Sequence, residues 1–193
     1  MKNALLIVTV LFAAIMSTAC INNFAVQELN NKAQEYIAKG DYDAAIGRLE
    51  ASIDIDPTIF ETNYNLGIAA ISAEKYEKAI IALNKAAELK PDNADVYYSL
   101  AVAQYNFAEE ILEGDTDKEV AIDTESAKKD EKISTEVLEK ANSYYLSAIK
   151  SLEKCLACSS VDAETKATAE SQLNSIKNKV EQLPLESVKG QEG

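Results

Sequence analysis

Residues 42–57 read YDAAIGRLEASIDIDP, and residues 76–91 read YEKAIIALNKAAELKP. Each stretch begins with a tyrosine, ends with a proline and carries small or apolar residues at matching internal positions. Every shared position lies 34 residues from its counterpart. A fixed period of this length indicates an array in which each unit is one supersecondary motif. These two stretches therefore decide how the rest of the chain is interpreted.

The composition favours helices and argues against several functional classes. The 193 residues include only three prolines and six glycines, with no histidine or tryptophan, and the net charge is −13. Because phosphate binding needs lysine and arginine, nucleic acid is not an expected partner. The chain has no glycine-rich phosphate loop and no nucleophile with an identifiable base, so we predict neither enzyme activity nor a cofactor nor a metal site.

Residues 1–19 have the pattern of a signal peptide. Lys2 precedes an uncharged run from Ala4 to Met16, which is short for a spanning helix of about 20 residues. The segment from Ser17 to Cys20 resembles a bacterial lipobox, although Ser17 stands where leucine is usual. The resemblance implies a lipoprotein with acyl chains such as palmitate on Cys20. Plain secretion after ordinary cleavage and an uncleaved anchor are the alternatives.

The lipobox also implies a location. A lipid-anchored protein of this type is expected in the bacterial cell envelope, with residues 20–25 forming the lipidated cysteine and a short tether. Ile21 follows the cysteine, and the absence of an aspartate there favours the periplasmic face of the outer membrane.

Each repeat unit is predicted to be a helical hairpin. In the first unit, a helix over about 26–39 precedes a turn at Gly40 and Asp41. A second helix follows over about 42–55, with Asp41 as its candidate N-cap. Pro57 cannot continue that helix and marks the next unit. Small residues such as Ala33 and Gly67 allow the two helices of a hairpin to approach closely. Hairpins must then stack, because one alone cannot bury its apolar face.

The third unit is interrupted. Its first helix is marked by Tyr98, which lies 34 residues after Tyr64, whereas its second helix is marked by Tyr145, at an offset of 69 from Tyr76. About 35 residues are therefore inserted. Ser134 is a candidate cap for a lengthened second helix. We predict that both helices of this unit extend beyond their counterparts and form a projecting hairpin, with an acidic tip over about 113–133.

These units resemble the tetratricopeptide (TPR) repeat. The family pattern appears in the second unit as Leu66-Gly67, Tyr76, Ala79, Leu83, Ala86 and Pro91. The first unit departs from it at Lys32-Ala33 and Ser52. The resemblance implies an all-α, right-handed TPR solenoid of three helical hairpins, the third interrupted, plus a C-terminal capping helix. The array is expected over 26–158, the capping helix over 159–183 and a disordered tail over 184–193.

The capping helix is expected to start after Ser160 or Asp162. Its predicted buried face consists of Ala163, Ala167, Leu173, Ile176 and Val180.

A partner-binding groove is predicted on the first helices of the units. Projecting the repeat pattern assigns to this predicted groove Asn30, Gln34, Tyr64, Ile68, Tyr98, Val102 and Tyr105. Glu61 and Asp95 are expected at its rim. Because the first helices carry almost no basic residues, we expect a ligand with apolar or aromatic anchors and neutral or basic flanks.

Two short motifs are weaker candidates for chemistry. Cys155 and Cys158 form a CxxC, but they occupy core positions at a helix C-terminus, which favours packing, with or without a local disulfide, over redox or zinc chemistry. Asp115, Asp117 and Glu119 alternate like the start of a calcium loop, but the glycine and closing glutamate of an EF-hand are missing. A solvated acidic tip is the preferred interpretation.

The sequence therefore predicts a membrane-anchored TPR scaffold that binds a protein or peptide in the cell envelope. Resemblance to TPR lipoproteins implies a role in a secretion, pilus, outer-membrane assembly or transport complex. The alternative is an accessory subunit of an envelope transport system that binds a small molecule or solute in a closed pocket.

Overall fold

A computed structural model of the chain describes residues 23–119 and 134–183, with only the backbone described for 115–119. The described residues form seven α-helices and no strand. The helices are α1 (23–38), α2 (Tyr42–Ile55), α3 (Phe60–Ser72), α4 (Tyr76–Leu89), α5 (Ala94–Glu119), α6 (Thr135–Ala157) and α7 (Ala163–Gln182). The predicted signal peptide, lipidated Cys20, most of the insertion and the tail over 184–193 lie outside the described residues.

Side-chain caps fix several helix starts where the sequence placed them. The Asp41 carboxylate accepts a hydrogen bond from the backbone N–H of Ala44 at 3.1 Å. Ser134 accepts from Val137 at 3.3 Å, and Asp162 accepts from Glu164 at 2.9 Å. Each cap satisfies a backbone donor that has no partner within the first helical turn. The predicted caps at Asp41, Ser134 and Asp162 are confirmed.

Small residues line the contacts between paired helices. Ala33, Ala45 and Ala79 are fully buried, and so are the leucines that follow in the second helices, Leu49 and Leu83. From α2 to α7, each helix packs against the next one along the chain. The predicted all-α array of stacked hairpins with a terminal helix is therefore confirmed.

The turns inside the first two hairpins use the same backbone conformation but different residues. Gly40 has φ of 75°, and Glu74, which lies 34 residues later, has φ of 57°. Glycine adopts this left-handed region at no steric cost, whereas a residue with a Cβ atom is disfavoured there. The second unit thus places a carboxylate at a turn where the fold itself favours glycine.

The interrupted third unit is a long hairpin of α5 and α6, which contact each other extensively. Ala108 of α5 and Ala141 of α6 are fully buried in the same core cluster. The Phe107 and Tyr144 rings meet edge to face, with centroids 4.7 Å apart. The prediction that both helices of this unit extend beyond their counterparts is confirmed.

The buried face of α7 differs from the predicted one. Ile176 is buried, but Ala163 and Ala167 are exposed, and Ala169 is buried instead. The prediction for Ala163 and Ala167 was wrong because it followed hydrophobicity and ignored angular position. Among the described helices, none combines the length and hydrophobicity needed to cross a bilayer.

Candidate functional site: the groove on the first helices

The first helices of successive units lie next to one another. Asn30 of α1 reaches Thr62 of α3, and α5 contacts both α3 and α7. In this arrangement α7 packs beside α5 in the position that the first helix of a fourth repeat unit would occupy. The predicted groove is therefore extended by α7, which the sequence assigned only to capping.

The side chain of Asn30 forms hydrogen bonds inside the array. Its Nδ2 group donates to the carbonyl of Val26 and to the hydroxyl of Ser52, both at 2.9 Å. The Thr62 hydroxyl lies 3.1 Å from its Oδ1 and can donate to it. Gln34 of the same helix is exposed. Of these two predicted groove residues, Gln34 is the one whose side chain is presented to solvent.

Tyr64 is part of an aromatic cluster at the edge of α3. Its ring stacks on Phe60, with centroids 5.8 Å apart and planes 7° apart. The Lys90 ammonium lies 3.8 Å from the Phe60 centroid and 2.9 Å from the Glu61 carboxylate. The hydrogen bond from Lys90 holds the pKa of Glu61 below its ordinary value. Lys90 is thus a basic group at the rim, already paired with an acid.

Tyr98 is anchored to α7, since its hydroxyl accepts a hydrogen bond from Gln172 Nε2 at 3.0 Å. Close to this contact, Val102 and Tyr105 line an open cleft of about 290 Å³ between α5 and α7. The other residues lining the cleft are Asn106, Gln172, Ser175 and Ile176. The cleft combines aromatic and aliphatic surface with amide and hydroxyl groups, which suits an anchor side chain of a peptide.

A polar cluster fastens α7 to the hairpin beside this cleft. The Tyr145 hydroxyl donates to Glu109 at 2.6 Å, and Lys179 forms an ion pair with the same carboxylate. Burial alone would raise the pKa of Glu109, but hydrogen bonds from Lys179, Tyr145 and Tyr105 lower it. Burial alone would lower the pKa of Lys179, but the bond to Glu109 outweighs it and raises that pKa. Both groups are therefore charged at neutral pH.

Carboxylates gather where α3 turns into α4. Glu74, Glu110 and Glu113 line an open cleft of about 280 Å³ together with Tyr76 and Asn106. Burial and these three carboxylates raise the pKa of Tyr76. Because Asn106 borders this cleft and the one beside Tyr105, the groove ends in a region of negative potential.

The structure brings some predicted groove residues together and separates others. Val102 and Tyr105 share one cleft, Tyr98 is hydrogen-bonded to α7 beside it, and Tyr64 and Ile68 are partly buried on the adjacent α3. Sequence reasoning missed Phe60, Lys90, Asn106, Gln172 and Ser175. If α7 had been interpreted as the first helix of another unit, Gln172 and Ser175 would have been candidates for the groove.

The CxxC motif belongs to the core. Cys155 and Cys158 are both buried, and both thiols are free. Burial and the neighbouring Cys158 raise the pKa of Cys155 to about 11, which disfavours the reactive thiolate. The packing interpretation is confirmed. Within the described residues, no group of three His, Cys, Asp or Glu side chains is placed to hold a metal ion. The backbone of Asp115, Asp117 and Glu119 belongs to α5.

Comparisons with known proteins agree with this geometry. Residues 29–59 match a family model for the tetratricopeptide repeat, and residues 71–106 match a second model for the TPR repeat. The chain therefore contains tetratricopeptide repeats. No curated protein matches the sequence.

Solved TPR domains share the fold. The first TPR of Spaghetti (RPAP3), bound to the HSP90 peptide SRMEEVD, is similar with a TM-score of 0.52 and 19% identity, over 80% of this chain and 92% of that one. The first TPR domain of human RPAP3 is similar with a TM-score of 0.52 and 18% identity, over 81% and 94% of the two chains. At these identities the similarity shows a TPR solenoid and nothing finer.

Proposed function

We propose that the chain is a membrane-anchored scaffold that binds a protein or peptide partner in the bacterial cell envelope. A TPR solenoid is consistent with a protein–protein interaction scaffold, and such repeats are generally non-catalytic. The observation that carries the proposal is the pair of partly buried tyrosines, Tyr64 and Tyr98, at equivalent positions of adjacent first helices. Tyrosines are frequent binding hot spots because they bury large surfaces at small entropic cost.

The shape of the groove supports a peptide more than a small molecule. The clefts beside Tyr105 and beside Tyr76 are open on one side, and Asn106 joins them. An extended segment of a partner can follow such a surface, whereas a small molecule is usually buried over most of its area. We therefore favour protein or peptide binding over the alternative of a solute-binding accessory subunit.

The charge of the groove supports a ligand with neutral or basic flanks. Two lysines beside the groove, Lys90 and Lys179, are each paired with a glutamate. Glu74, Glu110 and Glu113 add negative charge at one end. The peptide bound to the Spaghetti domain carries two glutamates and one aspartate, and a peptide of that composition would meet repulsion here.

The groove is tested by capturing partners from envelope extracts with purified chain. Replacing Tyr64→Ala and Tyr98→Ala together should abolish capture, since truncating a hot spot costs about 2 kcal/mol or more. Tyr42→Ala is the matched control, because Tyr42 is also partly buried but lies at the start of α2. Bound proteins are identified by mass spectrometry, and the fold of each variant is checked by circular dichroism.

The outcome separates the groove from other surfaces. Capture that persists in the folded double variant would move the binding site elsewhere. Equal loss in the Tyr42→Ala variant would show that the effect arises from folding and would also count against the groove.

The anchor is tested through Cys20. Two or three acyl chains on this residue, with about 0.8 kcal/mol for each buried methylene, would hold the protein stably on a membrane. Cys20→Ala should therefore abolish incorporation of labelled palmitate and move the protein from the membrane fraction to the soluble fraction. Membrane attachment that survives the substitution would support an uncleaved helix instead.

A further inference from the structure

A second groove lies between α2 and α4, the second helices of the first two units. It has a volume of about 820 Å³, the largest of the clefts described here. The apolar part of its lining consists of Ile53, Pro57, Leu66, Ile81 and Ala82, and the rest of the lining is polar or charged. The side chain of Ile81 is 68% exposed. We refer to this surface as the second-helix groove.

The fold does not require this groove to be apolar. The position of Ile81 is occupied by Gly47 in the first unit and by Lys150 in the third, and both are exposed. The corresponding space between α4 and α6 is about 420 Å³ and is lined by polar and basic groups that include Lys150 and Lys154. There Gln104 accepts a hydrogen bond from Ser151 at 2.7 Å. Of the two equivalent grooves, only the one between α2 and α4 is apolar. An exposed apolar surface that the fold does not require is typical of a site that contacts another molecule.

The rim of the second-helix groove defines the charge of that contact. Lys78 pairs with Glu50 across the groove, and Lys85 pairs with Glu88. Asp54 and Glu77 also line the groove, and neither has an ion-pair partner among the described residues. The lysines are thus neutralised locally, and the remaining charge is negative.

We propose that the second-helix groove binds an amphipathic helix of a partner protein, with an apolar stripe against Ile53 and Ile81 and basic residues against Asp54 and Glu77. A cleft between two helices accepts the apolar face of a third, as in other helix-in-groove complexes. The flanking lysines or arginines of such a helix complement the acidic rim. This surface is separate from the groove on the first helices, so the scaffold can hold two partners at once.

A synthetic peptide tests the proposal. The probe is an amidated amphipathic helix of about 18 residues with a leucine stripe, one tryptophan in the stripe and lysines on both flanks. Because the chain contains no tryptophan, emission excited beyond the tyrosine absorption band reports only on the peptide. We expect a saturable blue shift of the tryptophan emission with wild-type protein. The affinity of the peptide for Ile81→Lys should be lower than for wild type by roughly tenfold or more. A second peptide with glutamates in place of the lysines should also bind roughly tenfold more weakly.

The matched control variant is Leu146→Lys, which removes an exposed leucine from α6, outside this groove. Leu146 is 49% exposed, and its replacement should leave binding unchanged. Ile81→Lys introduces the residue that the third unit carries at this position, so the fold should persist, as circular dichroism can check. The proposal is overturned by the absence of saturable binding, by equal binding to Ile81→Lys, or by equal binding of the glutamate peptide. Self-association that depends on Ile81 in sedimentation experiments would identify a second copy as the occupant and would also overturn it.

Discussion

At the scale of single residues, Gly67 marks the tightest helix contact among the described glycines. A Cβ atom at this position would lie 2.4 Å from Cγ and 2.7 Å from Cδ2 of Leu83. Leu83 is fully buried, so it has little room to move. The equivalent residues of the other units are Ala33 and Ala101. The requirement for glycine therefore belongs to the second hairpin and not to the repeat as such.

We predict that Gly67→Ala lowers the free energy of unfolding by about 1–3 kcal/mol through overpacking against Leu83. Urea denaturation followed by circular dichroism measures the change.

Gly47→Ala is the control, because Gly47 lies in a helix and a methyl group added there would meet nothing within 4 Å. That substitution should raise the free energy of unfolding by about 0.5–1 kcal/mol through helix propensity. Similar effects of the two substitutions would refute the close contact between Gly67 and Leu83.

Burial of single residues could be predicted from the repeat pattern, but hydrogen bonds between helices could not. The burial of Cys155 and Cys158 could be predicted, because the repeat pattern assigns their positions to the core. The role of Asn30 could not, because the hydrogen bonds to Ser52 and Thr62 depend on how three helices meet. A linear pattern places a side chain on a face, but it does not say whether a neighbouring polar group engages it.

At the scale of helices, starts were predicted better than faces. Asp41, Ser134 and Asp162 cap the helices as expected because capping depends on contacts within a few residues. The face of α7 depends on angular position. Ala167 lies six residues before Leu173, which places the two about 120° apart around the helix. Ala169 lies four residues before Leu173 and so shares its face.

The attachment of α7 should depend on pH through Glu109. Its pKa is lower in the folded protein than the ordinary value of 4.5. The ionised carboxylate therefore stabilises the fold above the pKa of the unfolded chain, and this contribution is lost as the pH falls through the folded-state pKa. We predict that Glu109→Gln lowers the free energy of unfolding by about 1 kcal/mol at neutral pH. The difference from wild type should shrink as the pH falls through the folded-state pKa.

Denaturant titrations of both proteins across this pH range measure the difference. Glu153→Gln is the control. Glu153 also forms an ion pair with a lysine of α7, Lys177, but this pair is exposed and therefore contributes little to stability. A difference between wild type and Glu109→Gln that stays constant from neutral pH into the acid range would show that ionisation of Glu109 does not stabilise this contact.

At the scale of the whole molecule, the fold could be predicted because the 34-residue period is repeated along the chain. The period fixes which helices pair, and the small residues fix how closely they approach. The groove could be predicted less completely. Its cleft beside Tyr105 depends on Gln172 and Ser175 of α7, and these residues lie outside the repeat pattern.

The two faces of the array differ in character. The groove on the first helices combines tyrosines, amides and paired lysines, whereas the second-helix groove is apolar with an acidic rim. The two proposed surfaces would let one scaffold hold a peptide and a helix from different proteins at the same time. The proposed function depends on the groove on the first helices.

Site-specific photocrosslinking in living cells tests whether a partner binds in this groove. A photoreactive phenylalanine derivative is introduced at Gln34, which is exposed on α1, and separately at Ile68 on α3, with Leu146 on α6 as the control position. We predict that irradiation yields one discrete adduct with the same partner protein from Gln34 and Ile68, and none from Leu146. Adducts from Leu146 alone, or the absence of a common adduct from Gln34 and Ile68 in correctly folded protein, would contradict the account.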